Sequence, residues 1–333
     1  MIKKDSSKIL FLIFLFVLLI IAGIISLHLG AINFDIAEFF DLLFFPDDSN
    51  ESFILLHTRL PRIIAAIIIG ASLSLSGALY QGVIGNPLVS PGILGALSGA
   101  SFGSLLAMVL GFDIFGIELL CFIFGLIAVG FAIFLSFIFK HNNTILMLIL
   151  GGIICSSLFG AGVSALKILA DPYNTLPNMV FWLMGSLTYI QEKPLFYVSL
   201  AFVFIFIISV ALSRQIDILN LDEESANSLG INVKKMRIFF ILLATILASA
   251  SVALAGMIGW IGLVMPHIAR FVLGANHRFM LIGAALFGAI FLLFCDTLAR
   301  TLASSEIPIG IITSIFGVII FANVLLMIKK NNI

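Results

Sequence analysis

The chain has 333 residues, of which 62% are hydrophobic and only 10% charged, and its mean hydropathy is +1.25. An ordinary soluble domain carries about 25% charged residues, so this chain has too little polar surface to cover a water-soluble core. Its 17 basic and 17 acidic residues cancel, which leaves no basic field to attract nucleic acid. The composition predicts an all-α polytopic membrane protein, read as one domain over residues 1–333.

Taken in chain order, Lys3-Lys4 followed by Ile9 to Leu27 resembles a signal peptide. The apolar run is long and no small-residue cleavage site follows, so an uncleaved first span is expected. Ten apolar spans can be drawn, near 8–28, 61–81, 92–110, 116–139, 144–168, 194–213, 236–255, 259–274, 280–300 and 308–328. The eighth is short, and the junction between the second and third is tight. The second span opens on Arg59-Leu-Pro-Arg62 and is packed with Gly70, Ala71, Ser72, Ser74, Ser76, Gly77 and Ala78. Small residues of this kind let helix backbones approach closely in lipid. The chain then breaks at Asn86-Pro87 and Pro91-Gly92.

With the N-terminus inside, 12 of the 17 basic residues fall on the cytoplasmic side. The other five, Arg59, Arg62, Lys167, Lys193 and Arg300, fall outside or at its boundary. This bias predicts that both termini are cytoplasmic. The long outer loop from Gly30 to Thr58 is acidic (Asp35, Glu38, Asp41, Asp47, Asp48, Glu51), as a solvated loop is. The second outer loop, Asp171 to Lys193, is expected to start off helix at Pro172 and Pro177. It then holds a short re-entrant or interfacial helix over Met179 to Gly185, with Trp182 and Tyr189 at the boundary.

Two pairs of segments match one another. Ala71-Ser-Leu-Ser-Leu-Ser-Gly77 parallels Ala250-Ser-Val-Ala-Leu-Ala-Gly256, and each is followed ten residues on by a proline, Pro87 or Pro266. Gly152-Ile-Ile-Cys-Ser156 parallels Gly310-Ile-Ile-Thr-Ser314. These are helices two and seven, then five and ten. An odd number of crossings separates each pair, so the reading is an inverted repeat of helices 2–5 and 7–10, a transporter signature.

No nucleotide-binding Gly-rich motif is present, because no Gly-Lys pair occurs. No catalytic triad or intramembrane carboxylate pair is visible, so the chain does not read as an enzyme. Cys121, Cys155 and Cys295 each lie in an apolar run without metal spacing, and the five histidines form no metal pair. No metal or cofactor is expected on this chain. Within the spans the ionisable groups picked out are Lys167, Asp296 and Arg300, the last two one turn apart and read as a local ion pair.

The most polar internal stretch, residues 214–237, reads as a cytoplasmic loop. In it Asn220 or Asp222 caps a short helix, Glu223 and Glu224 fill the first turn, and Gly230 ends it. Leu221, Ala226 and Leu229 are expected to share one face for docking on a cytoplasmic partner.

RLPR at 59–62, SGALYQGVIGNPLVSPGILG at 76–95, LNLDEESANSLGINVKKMR at 219–237, GMIGWIGLVMPHIAR at 256–270, and DTLAR followed by EIPIG at 296–310 together resemble the FecCD-type permeases. Those are the membrane subunits of bacterial ABC importers for ferric siderophores, haem and vitamin B12. One departure is visible: where the family loop usually reads Leu-Gly before the glutamate, Asp222-Glu223 stands here.

The resemblance implies ten helices in the bacterial inner membrane and a second permease subunit. It also implies two cytoplasmic ATPase subunits, which use the ATP, and an extracytoplasmic substrate-binding protein. It assigns coupling to the ATPase to Leu219, Asn220, Leu221, Glu223, Glu224, Ala226, Leu229 and Gly230. Docking of the binding protein falls to Arg59, Arg62 and Arg300, and the gate or pathway to Asn142, Asn143, Thr144, Asn86 and Pro87, with helices five and ten lining the path. A secondary transporter would need a titratable mid-membrane group and an ion gradient. An intramembrane enzyme would need a polar cluster at common depth.

Overall fold

The structure is a computed structural model that describes residues 4–29, 49–138, 144–188, 190–221, 223–303 and 305–330, with Ile2 and Leu42. Among these, ten apolar helices follow the ten predicted spans. They are α1 (Asp5–His28), α2 (Leu60–Ile84), α3 (Ala96–Val109), α4 (Ile114–Ile138), α5 (Thr144–Leu169), α6 (Glu192–Ala211), α7 (Val233–Ala255), α8 (Ile261–Leu273), α9 (His277–Thr301) and α10 (Ile309–Lys330). Eight are long and apolar enough to cross a bilayer, and α3 and α8 are shorter. At about 1.5 Å per residue those two reach only about 20 Å of a core roughly 30 Å thick.

The layering follows residue size. Helix α2 is buried on nearly every face, α7 and α9 are mostly buried, and α1, α4, α5, α6 and α10 are mostly exposed. Small residues are what allow α2 to be central. A Cβ at Gly70 would overlap the Gly288 carbonyl oxygen of α9, and one at Gly288 would overlap that of Gly70. At Gly77 it would overlap the Gly262 carbonyl at the start of α8. Serine hydroxyls complete the contact: Ser74 Oγ donates to the Ala284 carbonyl at 2.6 Å and Ser76 Oγ to the Ala244 carbonyl at 2.6 Å. Tyr80 and Thr245 share a 2.6 Å hydrogen bond between α2 and α7. Such bonds are the alternative to leaving a polar group bare in an apolar interior.

The packing has the two-fold pattern that the repeat predicts. Helix α2 packs on α7, α8 and α9, and α7 packs on α2, α3 and α4, while α3 lies on α4 and α5 as α8 lies on α9 and α10. The paired glycines are equivalent as well. Gly152 of α5 sits on the Ile93–Leu94 backbone ahead of α3, and Gly310 of α10 sits on Met184 and on Met257, ahead of α8.

Breaks fall where Gly and Pro place them. Helix α2 ends at Gly85 with φ +68°, and Gly95, with φ +85°, starts α3. Pro266 lies inside α8. It offers no N–H to the Gly262 carbonyl one turn back, and Gln81 of α2 donates Nε2 to the Gly262 and Leu263 carbonyls instead, at 3.5 and 3.2 Å.

The short helix of the second outer loop is present but runs over Thr175–Leu183. Pro177 is therefore inside its first turn, where a missing N–H has no intrahelical partner to lose, and only Pro172 stays off helix. Most of the acidic loop, Asp35, Glu38, Asp41, Asp47 and Asp48 included, lies outside the described residues, as does Tyr189. Glu51 falls in a short helix, Asn50–Phe53. It continues through a π-helical turn, Ile54–Arg59, into α2, whose second residue is Pro61. All three cysteines are free and buried.

Gly77→Ala should lower the melting temperature of the purified protein in detergent, by overpacking against backbone at a cost of roughly 1–3 kcal/mol or more. Gly23→Ala in α1, where nothing lies within 4 Å of the added Cβ, should leave it unchanged or raise it. Equal melting of both variants would contradict the packing described for α2.

Candidate functional site

Helices α2 and α9 run antiparallel and carry polar clusters at both ends. At one end Asp296, with no exposed side-chain surface, accepts from Arg62 Nε at 2.8 Å and from Arg300 Nε at 3.1 Å. The ion pair read from the sequence is thus one part of a larger network. Arg62 Nη1 also reaches Glu306 at 2.8 Å, and Thr188 Oγ1 donates to the other oxygen of Glu306 at 2.6 Å. Arg300 Nη2 donates to Ser26 Oγ at 2.8 Å, and the Ser26 hydroxyl meets Thr297. Arg59, also buried, donates to the Leu27 and His28 carbonyls at the end of α1.

All three arginines singled out from the sequence therefore stand at one end of the bundle and are turned inward. The exposed member of the network is Glu306, whose side chain is 41% accessible. Among the described residues, Arg62 and Arg300 share the carboxylates of Asp296 and Glu306, and Arg59 stands beside them. Partial burial pushes the Glu306 carboxyl up, but hydrogen bonds from Arg62 and Thr188 and the charges of Arg62 and Arg300 outweigh it, so its pKa lies below the ordinary carboxylate value.

At the opposite end, two short helices, Ser213–Ile218 and Glu223–Ser228, join α6 to α7. The first is latched to both central helices. Asp217 Oδ1 accepts from the backbone N–H of His277, the first residue of α9, at 3.3 Å, and also meets the ring Nδ1 of His277. Asn220 Nδ2 donates to the Gly82 carbonyl of α2 at 3.0 Å and to the Ile216 carbonyl at 2.9 Å.

Asn220 is therefore engaged with α2 and does not cap the next helix, and Asp222 lies outside the described residues. Gly230 follows the second helix with φ +79°, the left-handed conformation that glycine adopts without strain. The shared apolar face is not observed. Ala226 and Leu219 are buried against the bundle, whereas Leu221 and Leu229 are 50% and 59% exposed. Packing against α7 claims the smallest residue and leaves the two leucines outward. Glu224 is exposed, and the side chain of Glu223 is outside what the structure describes.

Of the predicted gate residues, Asn142 and Asn143 lie outside the described residues, and Thr144 opens α5. Asn86 turns on itself, its Oδ1 accepting from the Leu88 N–H at 3.0 Å, with Pro87 between. Asn86 directly follows Gly85, which lies against the side chain of Asn220.

The sequence reading missed two features. Glu118, in the second turn of α4, lines a cavity of about 450 Å³ with Asn174, Asn178, Trp182 and Ser186 at the arginine end. Its signal was a lone acid inside an apolar run. Asp217 and His277 were also passed over, because 60 residues separate them and only folding brings them together.

A model of the FecCD transport family matches residues 18–328. The chain is 37% identical to a molybdate import system permease protein of Haemophilus influenzae, over 98% of both chains. It is 38% identical to a hemin transport system permease protein of Yersinia pestis, over 91% of both. Among solved structures, it matches an inward-facing metal-chelate type ABC transporter with a TM-score of 0.86 and 36% identity, over 96% of this chain and 99% of that one.

Arg62→Ala should cost about 3 kcal/mol or more in unfolding experiments, because it strips one partner from a fully buried carboxylate. Glu306→Gln tests the rim of the network. Its carboxyl is depressed on folding, so its contribution is present above the unfolded value of about 4.3 and is lost as pH falls through the lower folded value. Wild type should out-melt Glu306→Gln at neutral pH, and the gap should close below about pH 4. A gap that persisted there would rule out the ionised contact.

Proposed function

We propose that this chain, which belongs to the FecCD transport family, is the membrane-spanning permease subunit of an ATP-driven importer and moves a metal complex across the cell membrane by alternating access. The observation that carries the reading is the family match over residues 18–328. Of the motifs it spans, RLPR and DTLAR fall at one end of the α2–α9 pair and the 219–237 loop meets the other. In this reading ATP is hydrolysed by two partner subunits, and the end bearing the 213–230 loop, with both termini, faces the cytoplasm. Leu221 and Leu229 are the groups free to enter a cleft on an ATPase. Leu219, Asn220 and Ala226 hold the loop on the bundle, and Gly230 returns the chain to α7.

A binding protein docks at the opposite end, over Arg59, Arg62 and Arg300. Clustered guanidiniums favour acidic groups on that partner. Because the arginines are engaged internally, docking exchanges contacts at the Glu306 rim: a carboxylate of the partner competes for Arg62 there. A second permease subunit covers α5 and α10. The exposed side of α5 offers Ser157, Ala161, Ser164 and Ala165, the small residues that helix interfaces favour in lipid. Asp217 and Asn220 tie the loop to α9 and α2, so displacement of the loop is carried by the same helices that hold the arginine network.

The cargo is an iron chelate such as a siderophore complex or haem, or a related chelate such as cobalamin. A second reading, molybdate, is favoured by the 37% identity to the molybdate permease along the whole chain. Cells carrying the permease with its cognate ATPase and binding protein should accumulate one of labelled ferric siderophore, haem, cobalamin or molybdate. Uptake that continued without the ATPase would remove the importer reading. Leu221→Asp combined with Leu229→Asp should abolish uptake and ATPase association while leaving the melting temperature within about 2 °C, since exposed substitutions change stability little. Unimpaired uptake would remove the loop from the coupling role.

A further inference from the structure

An open-sided crevice of about 730 Å³ runs between α1, α2, α6 and α9, away from both polar clusters. Its walls are apolar: Leu12 and Phe16 of α1, Ala71 of α2, Phe202 of α6, and Ala285 and Ala289 of α9. Its mouth, beside the N-terminus, is charged. Arg278 stands exposed at the second residue of α9, and its guanidinium lies 6.0 Å from the Phe279 ring. Lys8 Nζ approaches the same ring to 5.1 Å. Asp5 pairs with Lys8 at 3.5 Å and so offsets it, whereas Arg278 has no carboxylate within 4 Å among the described residues.

We propose that this crevice is a binding site for one anionic phospholipid of the leaflet on the N-terminal side, with its phosphate on Arg278 and an acyl chain between α1 and α9. The dimensions fit one leaflet. From Arg278 to Ala289 the helix rises about 16 Å, close to half of a hydrocarbon core roughly 30 Å thick. The charge fits as well, since a lone exposed cation at a membrane boundary attracts anionic headgroups. The wall argues against a protein occupant. The outward residues of α1 are bulky, with Ile13 and Phe16 both 54% exposed, whereas helix–helix contacts in lipid favour small ones. The site does not depend on the transport reading.

The test uses the full-length permease, purified in mild detergent, stripped of co-purified lipid and titrated with phosphatidylglycerol or phosphatidylcholine. Bound lipid is counted by native mass spectrometry. One phosphatidylglycerol per chain should bind roughly fivefold or more tightly than phosphatidylcholine, the effect expected of one cation. Arg278→Lys should keep this preference and Arg278→Glu should erase it. A negative charge in the first turn of α9 suits the helix dipole, so the fold is not threatened, and melting of the variant checks this. Equal affinity for the two lipids, or a preference unchanged in Arg278→Glu, overturns the proposal. So does disulfide cross-linking of Ile13→Cys to a second copy of the chain.

Discussion

Backbone-to-backbone contact at Gly70 and Gly288 is the constraint on which the rest of the structure depends. With no side chain between them, α2 and α9 lie against each other near mid-height, and the serine and tyrosine hydroxyls of α2 reach carbonyls and a hydroxyl on α7 and α9. Lipid supplies no hydrophobic force between helices, so close packing and satisfied polar groups must hold this centre together. A helix pair fixed in its middle behaves as a stiff element whose two ends are related.

Those ends carry the two polar clusters. Arg62 and Asp296 close one end of the pair, and Gly82 with His277 receives Asn220 and Asp217 at the other. The first cluster is buried and charged, where loss of a partner is costly. The second ties a loop to the pair, Asp217 meeting both the backbone N–H and the ring of His277, and Asn220 reaching the Gly82 carbonyl. The outer helices α5 and α10 meet the segments ahead of α3 and α8 through Gly152, Gly310 and Gly317 but leave most of their surface free.

Particular residues mark how far the sequence could be read. Hydropathy alone placed ten spans to within a few residues, because apolar length is dictated by bilayer thickness. Asn86-Pro87 and Pro91-Gly92 announced the break that the structure shows between Gly85 and Gly95, and the repeated Gly-Ile-Ile segments pointed to a packing symmetry that the helix contacts show. The i,i+4 spacing of Asp296 and Arg300 disclosed their ion pair. The sites were less legible. Nothing local in Asn220 indicated that its amide would seek the Gly82 carbonyl rather than cap a helix. Leu221, Ala226 and Leu229 read as one face although packing took only Ala226. Pro177 read as a breaker although its position in a first turn makes it harmless.

By itself, then, the sequence determined that the chain is an all-helical membrane protein, where its helices begin and end, and which residues are small enough to let helices touch. Each of these follows from interactions with lipid or with near neighbours in the chain. Only the tertiary structure decided that Arg62 joins Asp296 across 234 residues, that Asp217 finds His277, and that Arg278 overlooks an apolar crevice. Partners that distant are selected by how the whole bundle packs, and no local pattern in the chain encodes that geometry.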